Sequence, residues 1–179
     1  MMKSKLFGIL GAWLLGPGLA LASASSDFAE AEKALAKDDT KTYATLKKRL
    51  ADYPLLPYLE YAEIMKNDRQ PLDADTVSSF LKRHAHSGPA YLLRIRWLKQ
   101  LAANGQWKSY LEWYDDSDPS IDRKCHYLNA LIRTGQGERT HSDIDGIWIY
   151  GRSRPNACDP VFAYWKKAGL LTRDRVWAR

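Results

Sequence analysis

The sequence has 179 residues, with 27 Lys and Arg against 21 Asp and Glu and a formal net charge of +6 at pH 7. This excess is mild and is spread along the chain without a block of like charges, which argues against nucleic-acid binding. The length is that of one ordinary domain with a real hydrophobic core.

The first part of the chain, residues 1–24, has the pattern of a secretory signal peptide. Lys3 and Lys5 form a basic start, an uncharged run extends over residues 6–22, and Ala22-Ser23-Ala24 offers small residues for cleavage. We predict cleavage between Ala24 and Ser25, and therefore export from the cytoplasm. Cleavage removes two lysines and no acid, so the formal charge falls from +6 to +4.

An uncleaved membrane anchor is the alternative interpretation of this segment. Gly16-Pro17-Gly18 argues against it, because glycine and proline weaken a continuous spanning helix. The remainder, residues 25–179, contains no second long apolar run, so we predict no membrane span after signal cleavage. We expect these residues to form one α-helical domain.

Apolar periodicity predicts helices along nearly all of residues 25–179, and strand-like alternation is almost absent. Four apolar stripes recur at helical spacing, namely Tyr43, Leu46 and Leu50; Tyr58, Ala62 and Met65; Tyr91, Ile95, Leu98 and Ala102; and Ile121, Cys125, Leu128 and Ile132. The predicted helices cover residues 27–37, 40–51, 56–67, 74–85, 89–104, 106–115, 119–134, 141–150 and 159–169. The β-prone run Ile147–Tyr150 is too short to predict a strand.

Residues typical of helix boundaries separate these segments. Asp118-Pro119 and Asp159-Pro160 are typical of an N-cap followed by proline at the first helical position. Gly105, Gly135 and Gly169 are typical of helix ends closed by a left-handed residue. These glycines lie 30 and 34 residues apart. Each interval is long enough for two helices and the glycine that ends the second one. The spacing therefore predicts a solenoid of helical hairpins.

The final residues predict the start of another helix. Thr172 is a suitable N-cap for a helix over residues 173–179, but no C-cap follows, and Val176 and Trp177 are unpaired in the pattern. A solenoid ordinarily ends in a capping repeat with a polar outer face. We therefore expect the helical domain to be truncated at its C-terminus.

The two cysteines, Cys125 and Cys158, predict a disulfide because the chain is expected to be exported. Two buried free thiols are the alternative. The cysteines lie about one hairpin period apart, so we interpret the disulfide as a clamp between neighbouring hairpins. Two cysteines at this separation do not form a zinc site.

Acidic and imidazole groups are weak candidates for chemistry. Glu60 lies with Glu63 on an aromatic helix, and a solvated surface glutamate is the favoured interpretation over a buried general acid. His84 and His86 fall on different helix faces and do not form the metal-binding pair of a helix. A disulfide would leave no cysteine nucleophile beside His126.

The remaining candidates are a polar stretch and the aromatic residues. His141, Asp143 and Asp145 lie in a polar stretch that is typical of a loop or of a helix start, where solvation is favoured over metal binding. The tryptophans could form platforms for sugars, but at helical spacing they favour a core role; they are Trp97, Trp107, Trp113, Trp148, Trp165 and Trp177. We assign no catalytic, cofactor-binding or metal-ligating residue and expect no cofactor.

Three stretches resemble one family. They are residues 52–61, DYPLLPYLEY; residues 105–111, GQWKSYL; and residues 153–159, SRPNACD. Together with the surroundings of Cys125, they resemble the N-terminal superhelical, U-shaped domain of soluble lytic murein transglycosylases, over nearly all of the mature chain. The resemblance implies an all-α fold, a right-handed helical-hairpin superhelix of which this chain is an α-solenoid fragment. It also implies that Cys125 and Cys158 are the structural pair.

The resemblance also implies a function. The family cleaves the N-acetylmuramic acid–N-acetylglucosamine bond of peptidoglycan in the periplasm and forms 1,6-anhydromuropeptides, using a glutamate in a separate domain. The family's E-S, G-L-M-Q and A-Y-N motifs do not occur in this sequence. We therefore expect a scaffold segment that lacks the catalytic domain, is inactive alone and contacts peptidoglycan weakly. The alternative is a stand-alone periplasmic helical-repeat adapter that binds a protein partner.

Overall fold

The computed structural model describes residues 18–67 and 69–179, with side chains from residue 23 onward. All regular elements in these ranges are helical, so the all-α fold class is confirmed. The α-helices are α1 (Gly18–Ala36), α2 (Thr40–Arg49), α3 (Leu56–Met65), α4 (Ala74–Arg83), α5 (Gly88–Ala103), α6 (Trp107–Trp113), α7 (Ile121–Arg133), α8 (Ile144–Trp148), α9 (Asp159–Lys167) and α10 (Arg173–Ala178). Two 3₁₀ helices cover Gly137–Asp143 and Asn156–Cys158.

Most of the predicted signal peptide, residues 1–24, lies outside the described residues. Helix α1 begins at Gly18 and continues through the predicted cleavage position between Ala24 and Ser25. Within the described ranges, no helix combines the length and apolar character needed to cross a membrane.

The chain divides into two compact units, Met1–Lys66 and Asn67–Arg179. In the described part of the first unit, α1 packs against α2 and α3. The predicted stripe of α2 is confirmed, because its three residues are buried in the core of this unit. That core consists of Ala31, Ala34, Tyr43, Leu46, Leu50 and Leu59.

The predicted stripe of α3 is wrong. Tyr58 is 52% exposed, whereas its neighbours Leu59 and Glu60 are 1% and 7% exposed. The helix is rotated from the predicted orientation because its acidic residues meet polar side chains of α2. Tyr43 and Lys47 both contact the carboxylate of Glu63.

In the second unit, successive helices from α4 to α7 pack against one another, and α7 also packs against α9. The stripe of α7 is confirmed, with Cys125 and Leu128 fully buried. The largest cluster of this unit comprises Cys125, Leu128, Leu131, Ile144, Ile147, Cys158, Val161 and Trp165. The stripe predicted for α5 is partly wrong, because Tyr91 is 46% exposed while Trp97 and Leu101 are 5% and 1% exposed.

The three predicted glycine stops are confirmed. Gly105, Gly135 and Gly169 have φ values of 65°, 80° and 71°. At each end, the amide two residues after the C-cap bonds to a carbonyl five residues earlier, as from Gln136 to Leu131 at 2.8 Å. This pairing is the Schellman motif, and it satisfies carbonyls that the helix end would otherwise leave unpaired.

Two predicted helix starts need correction. Helix α7 begins at Ile121, and Ser120 is its N-cap, because Asp118 accepts the amide hydrogen of Ser120 at 2.9 Å and holds a turn before the helix. Asp159 is the first residue of α9 and not its cap, because the 3₁₀ turn Asn156–Cys158 leads directly into the helix. The Thr172 cap is confirmed, since its hydroxyl accepts from Arg175 N at 3.4 Å.

The segment predicted as one helix over residues 141–150 is divided. A 3₁₀ helix covers Gly137–Asp143, and α8 covers only Ile144–Trp148. Thr140 accounts for part of this difference, because its hydroxyl donates to the Gly137 carbonyl at 2.7 Å in a fully buried position. A contact over three residues matches the tighter 3₁₀ turn.

Candidate functional site

The sequence's best candidate for acid chemistry, Glu60, lies in a polar cluster between α2 and α3. Its carboxylate is 3.2 Å from Lys47 Nζ, and the same ammonium is 2.7 Å from Glu63 Oε2. The Tyr43 hydroxyl donates to Glu63 Oε2 at 2.8 Å. The cluster therefore joins two carboxylates, one ammonium group and one phenol across two helices.

The interpretation of Glu60 as a solvated surface residue is wrong, because Glu60 is only 7% exposed. The ammonium group of Lys47 offsets the free-energy cost of burying the Glu60 carboxylate, since a buried charge needs an opposite charge and hydrogen-bonding partners. Burial raises the pKa of Tyr43 well above its usual range, and its hydrogen bond to Glu63 and the charges of Glu63 and Glu60 raise it further. Tyr43 is thus a hydrogen-bond donor in this cluster.

A second polar cluster organises the start of α7. Arg123 donates through Nε and Nη2 to the two oxygens of Asp118, whose side chain is 7% exposed. Burial opposes ionisation of Asp118, but the hydrogen bonds from Arg123 and from the amide of Ser120 outweigh it, so the pKa of Asp118 is lowered. The hydroxyl of Tyr110 donates to the Arg123 carbonyl at 3.0 Å. This cluster is a helix-start clamp.

The polar stretch that includes His141 forms ion pairs and does not gather into a metal site. Asp143 pairs with Lys124 at 3.0 Å, and Asp145 pairs with Arg175 at 2.7 Å. Within the described ranges, no group of three or more His, Cys, Asp or Glu residues could hold a metal ion.

The other histidines are engaged with aromatic rings or lie at a helix end. His84 is the C-cap of α4, and its ring is 4.9 Å from that of Phe80. His126 stacks near Trp107 at 6.3 Å, and its Nε2 is 3.8 Å from Asp122. His86 lies three residues beyond the end of α4, in an exposed turn.

Cys125 and Cys158 form a disulfide with their Cα atoms 4.8 Å apart. Cys125 is on α7, and Cys158 closes the 3₁₀ turn that precedes α9. Both residues are fully buried in the main cluster of the second unit. The bond links two elements that are distant in sequence but adjacent in the core.

The six tryptophans named from the sequence differ in burial, and Trp107, Trp113 and Trp148 are half-buried. Trp97 and Trp165 are 5% and 0% exposed and belong to the interior, while Trp177 on α10 is 79% exposed. Trp165 Nε1 donates to Thr140 Oγ1 at 2.8 Å in a buried contact. The core role therefore holds for Trp97 and Trp165 and is wrong for Trp177. Sequence reasoning missed the Thr140 partner, because a threonine in a polar stretch carries no signal of burial.

The fold and the side-chain contacts described above identify the structural class of the protein. The described residues form an array of short helices in which the buried acids Glu60 and Asp118 pair with cations. Three helices end in a glycine with left-handed backbone geometry, namely Gly105, Gly135 and Gly169. These glycines lie about one helical-hairpin repeat apart in the sequence. This is the class of α-helical repeat domains.

Comparisons with known proteins identify the family. No protein-family model matches the chain. Soluble lytic murein transglycosylases of Escherichia coli K12 and Salmonella typhimurium LT2 are 35% and 34% identical to it over 120 residues, which are 67% of this chain and 18% of each relative. The chain thus belongs to the family of soluble lytic murein transglycosylases. The family resemblance of its sequence motifs is confirmed. It spans less than a fifth of the length of these curated relatives.

Solved structures agree with this assignment. The 70 kDa soluble lytic transglycosylase of Escherichia coli matches with a TM-score of 0.70 and 30% identity, over 89% of this chain and 26% of that one. The same enzyme in complex with bulgecin A matches with a TM-score of 0.72. An inactive mutant of the Pseudomonas aeruginosa lytic transglycosylase matches with a TM-score of 0.70 and 33% identity, over 86% and 25% of the two chains.

Proposed function

We propose that the chain is a scaffold segment of a periplasmic peptidoglycan lytic transglycosylase and performs no catalysis by itself. The observation that carries the proposal is the 35% identity over 120 residues to a soluble lytic murein transglycosylase. The resemblance implies the family reaction, non-hydrolytic cleavage of the N-acetylmuramic acid–N-acetylglucosamine bond. In this proposal, residues 1–24 direct export and residues 25–179 form the helical scaffold.

The chemistry of the described acids supports a scaffold role. Cleavage of a glycosidic bond needs a carboxylic acid that holds a proton near neutral pH and faces the glycosidic oxygen. Glu60 is buried, but Lys47 lies 3.2 Å from its carboxylate. This ion pair joins Lys47 of α2 to Glu60 of α3. Glu60 therefore holds α2 against α3, which is a structural role.

The first test is for turnover by the chain alone. Purified protein is incubated with murein sacculi, and the soluble products are separated by chromatography. We expect no anhydromuropeptides above a no-protein blank. Turnover that disappears in Glu60→Gln would contradict the proposal, because it would place the catalytic acid within this chain.

The second test asks whether the segment supports a working enzyme. The 120-residue region of the Escherichia coli relative that this chain matches is replaced by the matching segment of this chain. We expect the chimera to fold and to release anhydromuropeptides. A folded chimera without activity, together with a stable monomeric isolated chain, would contradict the scaffold role and favour the adapter that binds a protein partner.

A further inference from the structure

One arginine holds the loop that joins α8 to the 3₁₀ turn Asn156–Cys158. Arg154 donates from Nε to the carbonyl oxygen of Ile147 at 2.8 Å and from Nη2 to that of Gly146 at 2.9 Å. Its guanidinium carbon also lies 3.8 Å from the centre of the Tyr150 ring. The planar guanidinium group makes the two hydrogen bonds and the stacking contact at once, which a lysine ammonium group does not reproduce. These three contacts form the Arg154 bridge.

The Arg154 bridge does for α8 what a left-handed glycine does for other helices. Both acceptor carbonyls lie in α8, close to its C-terminal end, where a helix leaves carbonyls without partners of its own. The C-cap residue Ile149 has φ −76° and ψ 90°, so the chain leaves α8 in an extended conformation. A basic side chain can donate to the last carbonyls of a helix instead. Arg154 does so from further along the chain and thereby folds the loop back onto α8.

The bridge also ties Cys158 to the core that contains Cys125. Ile147 is 5% exposed and lies in the same buried cluster as both cysteines. Cys158 is 11 residues from Ile147 along the chain but only 4 residues from Arg154. Within that short stretch, Cys158 N bonds to the carbonyl of Pro155 at 2.9 Å. Little free chain is therefore left between the bridge and the sulfur of Cys158.

We propose that Arg154 is a positioning residue for formation of the disulfide, because it holds the loop that presents Cys158 to Cys125. The oxidation is a thiol–disulfide exchange with a small disulfide such as oxidised glutathione. One cysteine thiolate attacks a glutathione sulfur and releases one glutathione thiolate; the other cysteine thiolate then attacks the protein sulfur of the mixed disulfide and releases the second. Two electrons pass to glutathione, and the two cysteine protons end on the two glutathione thiols. Arg154 acts in the second step, where the two protein sulfurs must meet.

The expected size of the effect follows from the length of free chain. The effective concentration of two groups on a flexible chain falls as about the −3/2 power of the number of residues between them. Without the bridge, the free segment before Cys158 lengthens from 4 to 11 residues. The effective concentration of the thiol pair should then fall about fivefold. This role is independent of the proposed function, since it concerns assembly of the second unit and no substrate.

The test is equilibration of the full chain with reduced and oxidised glutathione, followed by acid quenching, alkylation of free thiols and mass spectrometry. The ratio of disulfide to dithiol protein gives the effective concentration of the two thiols. We expect a value about fivefold lower in Arg154→Gln, and also a lower value in Arg154→Lys, which keeps the charge but not the planar group. Arg152→Gln is the matched control, because Arg152 is an exposed arginine in the same loop. Its value should equal that of the unchanged chain.

A second measurement separates positioning from general stability. Cys125→Ala leaves Cys158 as the single thiol, and Cys158→Ala leaves Cys125. In these two chains, Arg154→Gln should speed alkylation of Cys158 and leave that of Cys125 unchanged, because the bridge holds only the loop before Cys158. Equal acceleration at both thiols, or an effective concentration that Arg154→Gln does not change, would overturn the inference. If Arg154→Gln unfolds, Tyr150→Leu replaces it; this variant removes the stacking partner and should change both readouts in the same direction.

Discussion

At the scale of single residues, buried polar contacts hold the second unit together. Thr140 is fully buried; its hydroxyl accepts from Trp165 Nε1 and donates to the Gly137 carbonyl. Gly137 leaves room for Tyr164, because a Cβ there would lie 2.3 Å from the Tyr164 hydroxyl. The Thr140 hydroxyl and the Trp165 indole N–H each have a partner, which matters because an unsatisfied buried group costs roughly 1–3 kcal/mol.

The Asp118–Arg123 ion pair predicts that the stability of the fold depends on pH. The pKa of Asp118 is lowered in the folded chain, so the pair stabilises the fold above the unfolded pKa of about 4 and loses that effect as pH falls through the folded value. Asp118→Asn should therefore be less stable than the unchanged chain at pH 7, and the difference should shrink toward about pH 2. Urea denaturation across this range measures it. A constant difference would contradict the assignment, since other acids are common to both proteins.

At the scale of elements, the same closing motif recurs at four helix ends in the described part of the chain. Besides the three glycines, Asp38 has φ 60°, and Asp39 N bonds to Ala34 O at 3.0 Å after α1. Sequence analysis missed this position because it carries aspartate, although short polar residues are the usual substitutes for glycine there. The hairpin architecture thus depends on local backbone geometry as much as on burial.

Two glycines test this dependence. A Cβ at Gly135 or at Gly146 would meet nothing within 4 Å, but only Gly135 has a positive φ. Gly135→Ala should lower the free energy of unfolding by about 1 kcal/mol through backbone strain alone. Gly146→Ala, inside α8, should raise it by about 0.5–1 kcal/mol. Thermal denaturation of the two variants measures both effects, and shifts of the same sign would contradict this explanation.

At the scale of the whole molecule, each of the two units has its own hydrophobic cluster. The disulfide joins two residues of the second unit across a sequence separation of 33. A loop of that size reduces the freedom of the unfolded chain, which stabilises the folded state.

The disulfide therefore predicts a stability difference. Cys125→Ser should lower the free energy of unfolding by roughly 2–4 kcal/mol, and reduction of the unchanged chain should have a similar effect. Hydrogen exchange should accelerate in α7 and α9 and stay unchanged in α2, because both cysteines lie in the second unit. Thiol titration of unreduced protein is the control, and two free thiols would contradict the prediction.

The sequence by itself determined the features that depend on single residues and their near neighbours. The all-α class, the glycine helix ends and the buried stripe of α7 follow from backbone preference and helical period, which are local properties. The family also follows from short motifs, because these can be compared without knowing any contact.

Only the tertiary structure decided which side of α3 and of α5 faces inward. Glu60 is buried because Lys47, on another helix, provides the opposite charge. Tyr91 faces an open pocket because the loop after α6 lies beside α5. Asp118 forms a clamp and not a cap because Arg123 reaches back to it. In each case the deciding partner comes from another part of the fold or from the next turn of chain, and local periodicity holds no information on where that partner lies.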